Sequence, residues 1–246
     1  MKRNKIERGK AIKLILLLFV LLQVFAIFVY ADPTGTSITY NNVDNGSIAT
    51  PDNRSDQGGS ITTMVLDAVQ QNAKWKAYVG NITGTLTLDD SNGKTIFDWS
   101  LAAASITGEV YASRAASITW SNINCSAPTT ITNEQTAIGF APADVDSIQN
   151  TFNESTHPAF TTAGRTITAN SCNATSTYVN ATKQAQSSSY FPEILMGDGS
   201  NLVYATPIKQ DTFGYDNASK VDFQLILADD PSVSATNYYF YAEIGG

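Results

Sequence analysis

Between Tyr78 and Leu88 the chain alternates in a way that only a strand can use. Tyr78, Ile82, Leu86 and Leu88 are apolar, while Asn81, Thr83, Thr85 and Thr87 between them are polar. A period of two puts one set on each face of a pleated ribbon. Trp75, Ala77 and Val79 sit on the other parity, so a bulge is expected at Gly80. Asn92-Gly93 then predicts a hairpin with a type I′ turn, because both residues tolerate positive φ. Beyond it Phe97, Trp99 and Leu101 share a face, as do Ile106, Val110 and Ala112. From Trp75 to Cys125 the chain therefore reads as consecutive antiparallel strands, the sheet on which the rest is laid. Trp75, Tyr78, Phe97, Trp99 and Trp120 are its expected core aromatics, joined by Phe223 and Phe240 from later strands.

The N-terminal thirty-one residues are of another kind. Six basic residues, Lys2 to Lys13, precede the apolar run Leu14–Tyr30, and Val29 and Ala31 are suitably placed for a cut after Ala31. This describes a secretory signal. The run is also nearly long enough to cross a bilayer, so a retained anchor through residues 14–30 is the rival reading. A third is a pilin-type signal cut after Gly9, although Lys10 and Lys13 sit awkwardly in a packed filament helix. All three export the remainder. Without residues 1–31, nine basic side chains face twenty-one acidic ones, a charge of −12. That surface repels nucleic acid and anionic lipid.

Residues 32–59 are rich in Asn, Asp, Gly, Ser and Thr and read as a polar linker, with one short strand at Ser37–Tyr40. Ile61–Leu66 is the first expected strand of a single domain spanning 60–246, and Asp67–Ala73 is either a helical turn or a loop. Cys125 and Cys172 are the only cysteines. In an exported chain they most simply form one disulfide. It closes a loop of about 48 residues, which the chain-entropy relation values at about 4 kcal/mol. Within the insertion 126–171, Pro142–Phe152 carries Val145, Ile148 and Phe152 at helical spacing and predicts one short helix on the sheet edge.

Asn-x-Ser/Thr occurs at Asn45, Asn53, Asn81, Asn124, Asn153, Asn173, Asn180 and Asn217, all N-glycosylation candidates in a host that performs it. The β pattern resumes at Phe191–Met196, turns at Gly197-Asp198-Gly199 and returns through Leu202–Ile208. Val221, Phe223, Leu225 and Leu227 alternate, and the chain closes on Tyr238–Ile244. Short strands with one brief helix make the expected fold an all-β antiparallel sandwich, immunoglobulin-like or jelly-roll-like, after an N-terminal hydrophobic helix.

No chemistry stands out. His157 is the sole histidine and reads as a surface-loop residue, with no serine in an elbow context beside it. Asp89-Asp90 and Asp229-Asp230 read as solvated turns. Asp198, Asp211 and Asp216 offer hard oxygens suited to structural Ca²⁺, but without repeat spacing. No other metal site, cofactor motif or catalytic residue is expected.

The run Trp75-x-x-Tyr78-x-Gly80-Asn81-Ile82-Thr83-Gly84, the segment Gly108–Ser113, the cysteine pair and Tyr238–Tyr241 together resemble exported archaeal cell-surface β proteins, surface-layer-associated or pilus-like. The resemblance covers residues 60–246 and concerns the scaffold. It implies an envelope setting and carries no catalytic residues. The expected role is a non-catalytic, structural or adhesive envelope glycoprotein whose partners are other envelope proteins or copies of itself. The alternatives are an extracellular carbohydrate-binding module or glycan-active enzyme that meets surface glycans, and a pilin-like filament subunit.

Overall fold

The computed structural model describes residues 32–47, 50–66, 68–99, 106–182, 191–230, 232 and 235–245. The expected N-terminal helix of residues 1–31, and Leu101, lie outside them. The chain runs through β1 (Thr34–Gly35), β2 (Trp75–Gly80), β3 (Leu86–Asp89), β4 (Thr95–Trp99) and β5 (Thr107–Ser113). A 3-10 turn (Trp120–Asn122), β6 (Asn124–Cys125), α1 (Pro128–Ala137) and α2 (Ile148–Thr151) follow. Next come β7 (Phe160–Thr162), β8 (Arg165–Ile167), β9 (Ala174–Ser176), β10 (Pro192–Gly197) and β11 (Leu202–Pro207). The last are β12 (Thr212–Phe213), β13 (Lys220–Val221), β14 (Phe223–Ala228) and β15 (Tyr239–Gly245).

The fold is mostly β, its sheets antiparallel. The largest has seven strands in the order β1-β15-β5-β11-β10-β6, with β9 also on β10. Its hub is the β10–β11 hairpin. Asp198 tightens that turn by accepting the Ser200 and Asn201 backbone N–H groups at 2.9 and 2.8 Å, and Gly199 supplies the positive φ of +97°. Every residue of β10 and β11 is buried, because this sheet is covered on both faces. Val110, Ala112, Leu195, Leu202 and Tyr204 face one cluster with Leu225 and Leu227 of β14 and Ile131, Ile148 and Phe152 of the helical segment. Tyr111, Ile194, Met196, Val203, Ala205 and Tyr241 face the other, with Trp120, Ile123, Phe160 and Ile167. Burial on both sides is what makes strands read as near-continuous apolar runs. Cys125 and Cys172 are bonded.

Several expectations need correction. The stretch Trp75–Cys125 is not one sheet: β2 pairs with β14, β3 with β4, and β5 with β11 and β15. Asp222 breaks the long strand expected through Gly80. Its backbone N–H donates to the Gly80 carbonyl at 2.8 Å, and its carboxylate accepts the Ile82 N–H at 2.8 Å. The chain is thereby drawn out of the ribbon. The early strand lies at Thr34–Gly35, against Ala242 and Tyr241, and not at Ser37–Tyr40. Ile61–Leu66 is exposed coil.

At the expected type I′ turn only Gly93 has positive φ (+71°). Asp90 explains this: its carboxylate accepts the Asn92 and Lys94 N–H groups, both at 2.8 Å. The turn is therefore a three-residue loop with glycine in the left-handed position. The expected helix at Pro142–Phe152 shrinks to α2, and a longer one, α1, precedes it. Pro128 opens α1 at a first-turn position, and Thr132 and Thr136 turn their hydroxyls back onto the Pro128 and Thr132 carbonyls. Both helices contribute to the core cluster on one face of the sheet. Among the described residues no helix is long and apolar enough to cross a membrane.

Candidate functional site

β3 and β4 form a two-stranded ribbon that pairs with no other strand among the described residues. Leu86 stands opposite Trp99 and Leu88 opposite Phe97, so the four side chains share one face. This is the face that alternation predicts, and it is uncovered: Phe97 is 56% exposed, Trp99 47%, Leu88 55% and Leu86 46%. The two rings meet edge to face, with centroids 5.1 Å apart and planes 69° apart. Phe97 and Trp99 are thus outside the core in which they were expected. A hairpin of this size is marginal in water by itself; large contiguous exposed apolar patches often mark interaction sites, and this face is the candidate for one here.

The other five aromatics do pack. Trp120, on the 3-10 turn and not on a strand, is buried between Tyr111 and Tyr241, at 5.1 and 5.4 Å. Trp75 is half-buried against Phe140 and Phe152, and its indole N–H donates to the Asp146 carbonyl at 2.8 Å. Tyr78 meets Phe240 edge-on at 5.0 Å, and Phe223 packs on the same cluster.

His157 is not a surface residue; it is 2% exposed. Its Nε2 accepts the Ser171 and Cys172 backbone N–H groups, both at 3.0 Å. The proton then sits on Nδ1, which donates to the Pro158 carbonyl at 2.8 Å. Both ring nitrogens are occupied in holding the loop beside the disulfide, which leaves none to act as a base.

The aspartates are turn-formers. Asp198 is 7% exposed and takes four hydrogen bonds, including the Thr119 N–H at 3.1 Å and the Asn201 amide at 3.0 Å. Burial pushes its carboxyl up, but those donors outweigh burial and hold it below the usual range. Asp216 accepts the Ala218 and Ser219 N–H groups. Asp211 donates its backbone N–H to Asp222 at 3.0 Å. Asp229 accepts from Lys76 at 3.3 Å and from the Thr236 N–H at 3.1 Å. Among the described residues no three His, Cys, Asp or Glu side chains are grouped to hold a metal.

A polar cleft of about 360 Å³ lies between α1 and the β10–β11 turn, lined by Arg114, Thr130, Asn133, Glu134 and Asn201. Arg114 and Glu134 close on each other there through two bonds of 2.6 and 2.8 Å, which neutralises the charge an anionic ligand would seek. All eight sequon asparagines are exposed. Asn124 and Asn173 are less simple acceptors than the others. Asn124 precedes the bonded Cys125 and the buried Ser126, and Asn173 donates its amide to the Phe152 carbonyl at 3.0 Å.

Sequence reading missed two buried carboxyl sites. Glu193 is fully buried on β10, and Glu109 on β5 stands directly opposite Glu243 on β15. The available signal was a glutamate at the parity of buried neighbours, as Glu193 is with Phe191 and Leu195. Comparison with protein-family models, curated proteins and solved structures finds no match.

Proposed function

We propose that this chain is a non-catalytic, exported envelope protein that associates with further copies of itself through the β3–β4 ribbon. The observation that carries this is the apolar face of Leu86, Leu88, Phe97 and Trp99, exposed and held in register on a ribbon that pairs with no other strand among the described residues. Two such faces related by a two-fold axis are self-complementary, which is the commonest way soluble chains pair. We read the scaffold beneath as a β-sandwich in which the β2–β14 ribbon faces the seven-stranded sheet. The disulfide fits an oxidising, extracellular setting. The exposed sequons fit glycosylation there.

The same ring pair is the feature a carbohydrate-binding module would use. Planes 69° apart make no common platform, so a sugar could stack on only one of the two rings, whereas self-association would cover both. Self-association is therefore the better reading. Sedimentation velocity of residues 32–246 across a hundredfold concentration range tests it. Reversible dimers or larger species are expected, and Phe97→Asp with Trp99→Asp is expected to leave a folded monomer. A wild-type chain that stays monomeric throughout contradicts the reading. Retention of that monomer on an immobilised glycan array, lost in the double variant, would favour sugar binding instead.

A further inference from the structure

On the face that holds Tyr111 and Tyr241, the cross-strand pair Glu109 and Glu243 places two carboxyls side by side. Glu109 is 7% exposed. Glu243 accepts the Ala163 N–H at 3.0 Å and the Tyr111 hydroxyl at 3.2 Å. These donors are neutral. Among the described residues neither carboxyl has an ion pair. Arg165, on the hairpin that supplies Ala163, donates to the Ser121 carbonyl at 2.9 Å. A buried carboxyl beside a half-buried one, with no cation, is an incomplete arrangement. Burial raises the Glu243 carboxyl, and the Asp32 carboxylate adds to the rise.

The strand beside Glu243 supplies what is missing. β1 pairs Thr34 with Ala242 and Gly35 with Tyr241. Continuing that register sets Pro33, which is buried, opposite Glu243, with Asp32 one residue beyond. Asp32 is also the residue that follows the cleavage site read from the sequence. We propose that cleavage after Ala31 creates the absent cation, the α-ammonium of Asp32, which docks on the Glu109–Glu243 carboxyls and fastens β1 to β15. A signal peptidase and one water hydrolyse the Ala31–Asp32 peptide bond. The leader departs with the Ala31 carboxylate, and the amine left on Asp32 takes up a proton below about pH 8. Before the cut Asp32 brings only its carboxylate, which raises Glu243 further; afterwards it brings both signs.

The inference rests on the export reading, and the test separates the two. The N-terminus of the exported protein is expected to be Asp32. Two preparations of residues 32–246, one with a free and one with an acetylated α-amine, are then melted. At pH 7 the free-amine form is expected to melt about 2–4 °C higher. The difference should shrink as pH is lowered, because protonation removes the carboxylates that the ammonium meets, and should disappear in E109Q/E243Q. If that double variant does not fold, the α-amine is titrated by NMR in the unmodified chain, where a value above the ordinary range of about 7.7–8.0 is expected. Equal melting at pH 7, an α-amine at or below that range, or any other N-terminus overturns the inference. A surface protein that keeps residues 1–31 overturns it while leaving export intact.

Discussion

Glu193 on β10 accepts the backbone N–H of Ile226 on β14 at 2.9 Å, a bond that ties the central sheet to the ribbon lying over it. Ile226 belongs to a strand paired on its other side with β2, so its N–H would otherwise point into the core unsatisfied. Burial raises the Glu193 carboxyl well above its usual range, against the smaller lowering effect of the Ile226 N–H. Burial thus favours the protonated, uncharged form of this group. Glu193→Gln keeps an acceptor of the same shape and is expected to change stability little. Glu193→Ala leaves the N–H without a partner and is expected to cost about 1–3 kcal/mol. Urea unfolding of both variants checks this, and equal losses would contradict the account.

The Glu109–Glu243 pair predicts how stability responds to pH. Burial, reinforced by Glu243, pushes the Glu109 carboxyl from 4.5 to about 8, against the lowering effect of Tyr111. A carboxyl raised on folding contributes its stability below the unfolded value and loses it as pH rises through the folded one. Between about pH 5 and pH 8 a chain with a blocked N-terminus should therefore weaken by up to about 1.4 kcal/mol per pH unit from this group. Glu109→Gln should flatten that dependence. Denaturant midpoints measured at half-unit pH steps decide it, and an unchanged slope in the variant would count against the pair.

His157→Phe fits an aromatic ring into the same buried place but accepts no hydrogen bond. Two backbone N–H groups, of Ser171 and Cys172, lose their acceptor. The expected cost is about 2–4 kcal/mol, from two donors at about 1–3 kcal/mol each with partial relaxation. Calorimetry of the variant provides the check. A loss under about 0.5 kcal/mol would show that the ring packs but does not hold the loop.

The C-terminal strands were legible because their signal is local: an apolar run, a glycine turn and a return. Parity also located the ribbon face of Leu86, Leu88, Phe97 and Trp99. What parity does not contain is whether a second layer covers that face, and here none does among the described residues. The break after Gly80 was hidden for a related reason, since the group that makes it, Asp222, lies 140 residues away from Ile82. His157 looked like a loop residue because it sits among Ser, Thr and Pro. Its burial follows from the return of Ser171 and Cys172 across it. α1 was missed because its threonines favour strands, and the proline that opens it reads as a turn from sequence alone.

The account stands on passage of this chain across a membrane and oxidation of its two thiols. The direct test is intact mass of the native protein, recovered from cell-surface and cytosolic fractions and treated with an alkylating reagent before reduction. The account predicts a surface-fraction protein that begins at Asp32 and takes up no reagent until Cys125 and Cys172 are reduced. A cytosolic protein labelled at both cysteines without reduction would contradict it.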